Sequence, residues 1–235
     1  MYEYYRKHYL PNNMAISLYC RGNFDVAKRY CEQALAIKEK AHGENHPSLA
    51  STLTNLANIL IAQNDLKAAM ECYQKALAIK KQEKPDKPED MAQCEQDTAD
   101  IQVGIAGLLF YQKDHLGAQK HYEHALVTYK KLHGETHPKV AAILTSMGVL
   151  MQNRGDLTGA MSSYTQALGI QQQTLGDQHP NVARSLWGIG AIQFMQKKFA
   201  ESVESYEQAC EILSLRLGKQ HPETVACTRE MTSAR

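Results

Sequence analysis

Four histidines recur in one setting in this 235-residue chain: Gly43-Glu44-Asn45-His46-Pro47, Gly134-Glu135-Thr136-His137-Pro138, Gly176-Asp177-Gln178-His179-Pro180 and Gly218-Lys219-Gln220-His221-Pro222. Repeated histidine first suggests a metal. The spacing argues otherwise. His137, His179 and His221 fall at intervals of 42 residues, and equivalent points of stacked repeats lie at least a helix diameter apart, about 8–10 Å. Zinc ligands sit ~2 Å from the ion, so one metal cannot bridge them, and each histidine reads as a linker residue before proline. Six cysteines (20, 31, 72, 94, 210 and 227) form no C-x-x-C pair and stand at no metal-ligand spacing from a histidine pair. They read as reduced intracellular thiols. A nucleophile needs a base and an orienting group converging on one pocket, and the repeat itself accounts for Cys31 and Cys210. No glycine loop cradles a phosphate. No catalytic residue, metal or cofactor is expected, and the chain is not expected to be an enzyme.

The same five-residue signature tells what positions these residues. Glycine ends a helix in the left-handed conformation, and proline is pre-organised for the first position of the next. Gly-x-x-His-Pro therefore reads as one helix stopping and another starting. His46 precedes His137 by 91 residues, two periods plus seven. A fixed period of this size means stacked repeats, each touching only its neighbours.

Within the period, a second helix carries Ala27, Ala69, Ala118, Ala160 and Ser202, then Ala34, Ala76, Ala125, Ala167 and Ala209 seven residues later. Between them stand Cys31, Tyr73, Tyr122, Tyr164 and Tyr206. Small residues seven apart share a helical face and admit a neighbouring helix, while the aromatic fills the remaining space. The first helix shows the i, i+3, i+4, i+7 stripe, for example Leu53, Leu56, Ala57 and Leu60. Polar turns such as Arg21-Gly22-Asn23 and Gln63-Asn64-Asp65 join the two. One pair buries too little to offset the ordering of its residues, so function is expected on a surface spanning several repeats.

A single array over residues 1–235 is expected, with repeats at about 5–42, 43–84, 85–133, 134–175 and 176–217 and a capping helix at 218–235. Residues 1–10 lack the signature and read as a packed end cap, with the stub of an earlier helix as the alternative. The third repeat carries seven extra residues. Pro85 replaces the helix-ending glycine, Lys84 to Asp90 forms a charged loop, and the insertion should add two turns to the front of the next helix. It is either a tolerated insertion or a contact site.

Formal charge is +1, from 26 Lys+Arg and 25 Asp+Glu, which gives no nucleic-acid footprint. No basic-then-apolar signal segment opens the chain. The longest near-apolar run, Gly104 to Tyr111, is far below the roughly 20 residues of a membrane span. A cytoplasmic location and no membrane insertion are expected.

Leu56-Ala57 with Leu60, then Ala69, Tyr73 and Ala76, resemble the tetratricopeptide repeat. The 42-residue period and the linkers Leu175 to Ala183 and His133 to Ala141 resemble its kinesin-light-chain type more narrowly. The resemblance covers about residues 11–231 and implies an all-α, right-handed superhelical solenoid whose first helices line a concave groove for peptides. It places in that groove Tyr9, Asn12, Asn13 and Ile16; Ser51, Thr54, Asn55 and Asn58; Asp100, Val103, Gly104 and Gly107; Ala142, Thr145, Ser146 and Val149; and Arg184, Trp187, Gly188 and Ala191. The Asn that this type commonly carries before its Leu-Ala pair is present as Asn13 and Asn55 and replaced by Gly104, Ser146 and Gly188. Trp187, the one tryptophan, is the candidate hot spot, with local packing as its alternative. The implied function is a non-enzymatic adaptor for a protein or peptide partner, more narrowly a kinesin-light-chain-like cargo or cytoskeletal adaptor. The alternatives are an assembly element that self-associates or docks through its edges, as a homo-oligomer or in a large complex, and a regulatory segment of a larger enzyme.

Overall fold

The computed structural model describes residues 10–235, all of them helix or connecting segment, without a strand. Of the end cap expected at residues 1–10, residues 1–9, with Tyr9, lie outside the described residues, and Leu10 opens the first helix. The chain forms two compact units, one ending at Thr128 and one beginning at Tyr129. The first contains α1 (Leu10–Cys20), α2 (Phe24–His42), α3 (Ser48–Ala62), α4 (Leu66–Gln82), α5 (Pro88–Tyr111) and most of α6 (His115–His133). The second continues with α7 (Pro138–Asn153), α8 (Leu157–Leu175), α9 (Pro180–Met195), α10 (Phe199–Leu217) and α11 (Pro222–Ala234). The all-α helix–turn–helix architecture is the one the sequence leads one to expect.

The connections follow from their residues. Between pairs, Gly43, Gly134, Gly176 and Gly218 hold φ between +81° and +93°, and each N–H returns to the carbonyl four residues earlier. Within pairs, Gly22, Asn64, Lys113, Gly155 and Lys197 occupy the left-handed region at φ +63° to +80°. Carboxylates then open several second helices: Asp65, Asp114 and Asp156 accept from the backbone N–H three residues on, at 2.9–3.2 Å. The alanine and serine positions of the second helices are sealed, none of the ten more than 1% exposed, and Tyr73, Tyr122, Tyr164 and Tyr206 are buried beside them.

The histidines of Gly-x-x-His-Pro do more than precede proline in a linker. Nδ1 of His137, His179 and His221 accepts the backbone N–H of Lys139, Asn181 and Glu223 at 3.1–3.3 Å, capping α7, α9 and α11. His46 makes the same bond to Ser48 N–H at 3.2 Å. The ring does what Ser or Asp does at other helix starts, and it does so only with Nδ1 unprotonated.

A column of polar side chains near the ends of the second helices reaches the next first helix. Lys38 Nζ donates to Ser48 O and Thr52 Oγ1, both at 2.8 Å. Lys80 pairs with Asp97 at 2.7 Å. Tyr129 accepts from Lys139 Nζ at 2.8 Å, and Gln171 accepts from Ser185 Oγ at 2.7 Å. These four positions fall in one register, and Leu213 follows at the next equivalent place. The longest helix is α5, with 24 residues against 15 in α3 and 16 in α7 and α9.

Candidate binding surfaces

In the first unit the candidate residues lie on α1, α3 and α5. Asn13 and Ile16 face solvent, whereas Asn12 is half-buried and accepts from Asn55 Nδ2 at 3.2 Å. Thr54 spends its hydroxyl on Ala50 O at 2.9 Å, and Asn58 Oδ1 accepts the Tyr73 phenol at 2.5 Å. Four of the expected residues, Ser51, Thr54, Asn55 and Asp100, converge with Asp97 and Lys80 on a cavity of about 140 Å³ between α3 and α5. Val103, half-buried further along α5, is not part of that lining.

Lys80 is the charged residue that sequence reasoning passed over. It is 8% exposed and bridges Asp97 at 2.7 Å and Glu83 at 2.9 Å. Burial alone pulls its pKa down, but hydrogen bonds to the two carboxylates outweigh this and hold it above the ordinary lysine value. The available signal was the 42-residue step from Lys38 to Lys80 on the apolar side of an amphipathic helix.

In the second unit Thr145 Oγ1 donates to Ala141 O at 3.0 Å and accepts from Gln171 Nε2 at 3.2 Å, while Val149 faces solvent. Arg184 forms a two-pronged pair with Glu223 of α11, both bonds 2.9 Å, and its Nη1 reaches Asn181 Oδ1 at 2.7 Å. The guanidinium hydrogen bonds keep the Glu223 carboxyl below its usual value. Trp187 is half-buried, and its Nε1 donates to Glu230 Oε2 at 2.7 Å. Nearby, Ala191, Phe194, Met195, Tyr206, Glu230, Gln152 and Ser233 line a cavity of about 210 Å³.

The glycines of the candidate set serve packing. A Cβ at Gly104 meets the Tyr73 ring at 2.5 Å, and one at Gly188 meets the Tyr164 ring at 2.6 Å. Gly107 is different: its nearest neighbour, Tyr122 Oη, is an ordinary 3.8 Å away. At Gly104 and Gly188 the ladder asparagine is thus absent where a tyrosine of the preceding second helix needs its space.

Among the described residues there is no cluster of three or more His, Cys, Asp or Glu able to hold a metal, and no helix long and apolar enough to cross a membrane.

Residues 8–82, 97–173 and 147–214 match the family described as tetratricopeptide repeat. The chain belongs to the tetratricopeptide repeat family. Among curated proteins, none matches it. Several solved structures share the fold. BtubC (BKLC) from P. vanneervenii is 23% identical with a TM-score of 0.71, covering 88% of this chain and 80% of that one. A Podosopora anserina putative kinesin light chain with nearly identical TPR-like repeats is 21% identical with a TM-score of 0.68, covering 87% and 93%. The apo form of RapI is 13% identical with a TM-score of 0.75, covering 96% and 82%.

Proposed function

We propose that this tetratricopeptide-repeat chain is a non-enzymatic scaffold that binds peptide segments of partner proteins on the exposed faces of its first helices. The convergence of Thr54, Asn55 and Asp100 on one cavity of about 140 Å³ carries this reading. On α1, whose Asn12 accepts from Asn55 of that lining, Asn13 and Ile16 stand exposed, a polar group and an apolar anchor of the kind that holds a short segment. The finer reading is a kinesin-light-chain-like cargo or cytoskeletal adaptor acting in the cytoplasm. Its support is the 42-residue linker pattern together with a fold shared with a structure described as a putative kinesin light chain.

A peptide-display selection on the full chain tests the first reading, with recovered peptides re-measured by fluorescence polarisation. At least tenfold weaker binding to Asn13→Arg, Asn55→Ala or Val149→Asp is expected for the recovered peptides. Recovery of none, or of peptides indifferent to all three changes, overturns it.

A second reading, docking or self-association through an edge, draws on the front of α5. Met91 is 49% exposed there, and Met91, Cys94, Thr98, His124 and Glu83 help line a cavity of about 380 Å³. Light scattering coupled to size exclusion distinguishes a monomeric scaffold from a self-assembling one.

A further inference from the structure

Two of the six cysteines meet inside the second unit. Cys210 on α10 and Cys227 on α11 are buried, 8% and 0% exposed, and their Sγ atoms are 2.7 Å apart. A disulfide requires a separation of about 2.05 Å and Cβ atoms on facing surfaces, so closing the bond asks for a shift of well under an ångström. The register explains how the pair arose. Cys210 occupies the position that holds Leu77, Leu126 and Leu168 in earlier second helices, and Cys227 the position of Thr52, Ile101, Ile143 and Ser185 in earlier first helices. In the last interface both partners are thiols.

We propose that Cys210 and Cys227 are a redox modification site, forming a reversible intrachain disulfide that staples α11 to α10. The oxidant class is a hydroperoxide. The Cys210 thiolate attacks the distal peroxide oxygen, the O–O bond breaks, and a sulfenic acid and an alcohol result, or water from hydrogen peroxide. The Cys227 sulfur then attacks Cys210 Sγ, an S–S bond forms as the S–O bond breaks, and the oxygen leaves as water after taking a proton. Two thiols and one hydroperoxide thus give one disulfide, one alcohol and one water. Thiol–disulfide exchange with a dithiol reverses the change.

The rate is governed by the fold. Burial, and then the neighbouring Cys210 sulfur and Glu230, push the Cys227 thiol well above its usual value, so the closed helix holds an unreactive thiol. The reactive form appears when α11 lifts from α10, which makes the site slow compared with the exposed Cys20. Once formed, the staple fixes the helix that carries Glu230, the acceptor for Trp187 and Tyr206.

The test is peptide mapping of the full, folded chain after exposure to hydrogen peroxide, with free thiols alkylated before digestion. Trypsin cuts after Arg216 and Lys219, between the two cysteines. A Cys210–Cys227 link therefore appears as two joined peptides that separate on reduction. Expected with it are a melting temperature several degrees higher and slower amide exchange in α11, both absent in Cys210→Ser and in Cys227→Ser. If one variant fails to fold, the other and the wild-type map decide. The proposal is overturned if both thiols remain alkylatable when Cys20 is fully oxidised. It is overturned equally if Cys227 links elsewhere, or if the link forms without slowing exchange in α11.

Discussion

Trp187 Nε1 and the Tyr206 phenol donate to the same oxygen, Glu230 Oε2, at 2.7 and 3.3 Å. One carboxylate on α11 thus ties together a side chain of α9 and one of α10. The tryptophan that reads in the sequence as a possible anchor is oriented by a residue 43 positions later. Any partner that uses the indole meets a ring whose N–H is already engaged, leaving its carbon face and edge for contact.

Removing that acceptor should therefore be felt at the tryptophan. Glu230→Ala is expected to shift Trp187 emission to the red and to lower stability by about 1–2 kcal/mol, the range for a lost charge-assisted bond at a half-buried site. Glu230→Gln, which retains an acceptor oxygen, should show less than half of both effects. Urea melts followed by fluorescence report the two together, and an unchanged emission maximum in Glu230→Ala contradicts the contact.

Two helical glycines should respond to alanine with opposite signs. At Gly188 the new Cβ lies 2.6 Å from the buried Tyr164 ring, so Gly188→Ala is expected to cost about 1–3 kcal/mol as the core shifts. At Gly169, exposed on α8, nothing lies within 4 Å. There the alanine should stabilise by about 0.5–1 kcal/mol through helix propensity. Denaturant midpoints of the two variants check both. Stabilisation by Gly188→Ala shows that the ring is not seated on that backbone.

These contrasts show where the sequence is informative. The helix pairs and the sealed alanine positions are legible, because glycine, proline and a 3.6-residue period leave marks that repeat at a fixed interval. The candidate surface is legible only as a set of positions. Thr54, Asn55 and Asp100 lie together in one cavity, but the partners that engage Asn58, Arg184 and Trp187 come from Tyr73, Glu223 and Glu230. Such pairings cross from one helix to another and depend on side-chain reach, which no local pattern encodes. The capping role of the histidines was missed for a different reason: His is an uncommon cap, and its ring replaces the Ser or Asp that usually gives the start away.

The His137 cap makes stability depend on pH. Burial first, then His133 and Lys139, hold the His137 pKa below its ordinary value of 6.5. The unfolded chain therefore binds the extra proton more readily, and stability falls as pH drops through about 6.5 toward the lower folded value. Protonation also turns Nδ1 from an acceptor for Lys139 N–H into a donor facing a donor. His137→Asn should keep a cap without the titration and so flatten part of the slope between pH 7 and about 5. Glu223, depressed by Arg184, loses its contribution only below the ordinary carboxylate value of 4.5, outside that window. Thermal melts of both proteins across pH 5–8 measure the difference, and parallel curves mean that His137 is not a titrating cap.

Lys80 offers the sharpest test of what holds α5 against α4. Its ammonium sits between Asp97 and Glu83, whose side chains are 33% and 21% exposed. Lys80→Ala leaves two carboxylates facing each other beside the cavity of about 140 Å³. The cost should be on the order of 2 kcal/mol, below the ~3–5 of a fully buried broken pair because water reaches both acids. Lys80→Met keeps the apolar stem and fills space, yet strands the same charges, so it should recover only part of the loss. The decisive variant pairs Lys80→Met with Asp97→Leu. Removing ammonium and carboxylate together leaves only Glu83, which lies at the end of α4 and can turn to solvent, so the double change should cost less than Lys80→Ala alone. A cost below the sum of Lys80→Met and Asp97→Leu measured singly, read from urea midpoints, is the signature of a direct ion pair. If the effects simply add, Lys80 contributes through its stem, and the α4–α5 contact is held by packing rather than by charge.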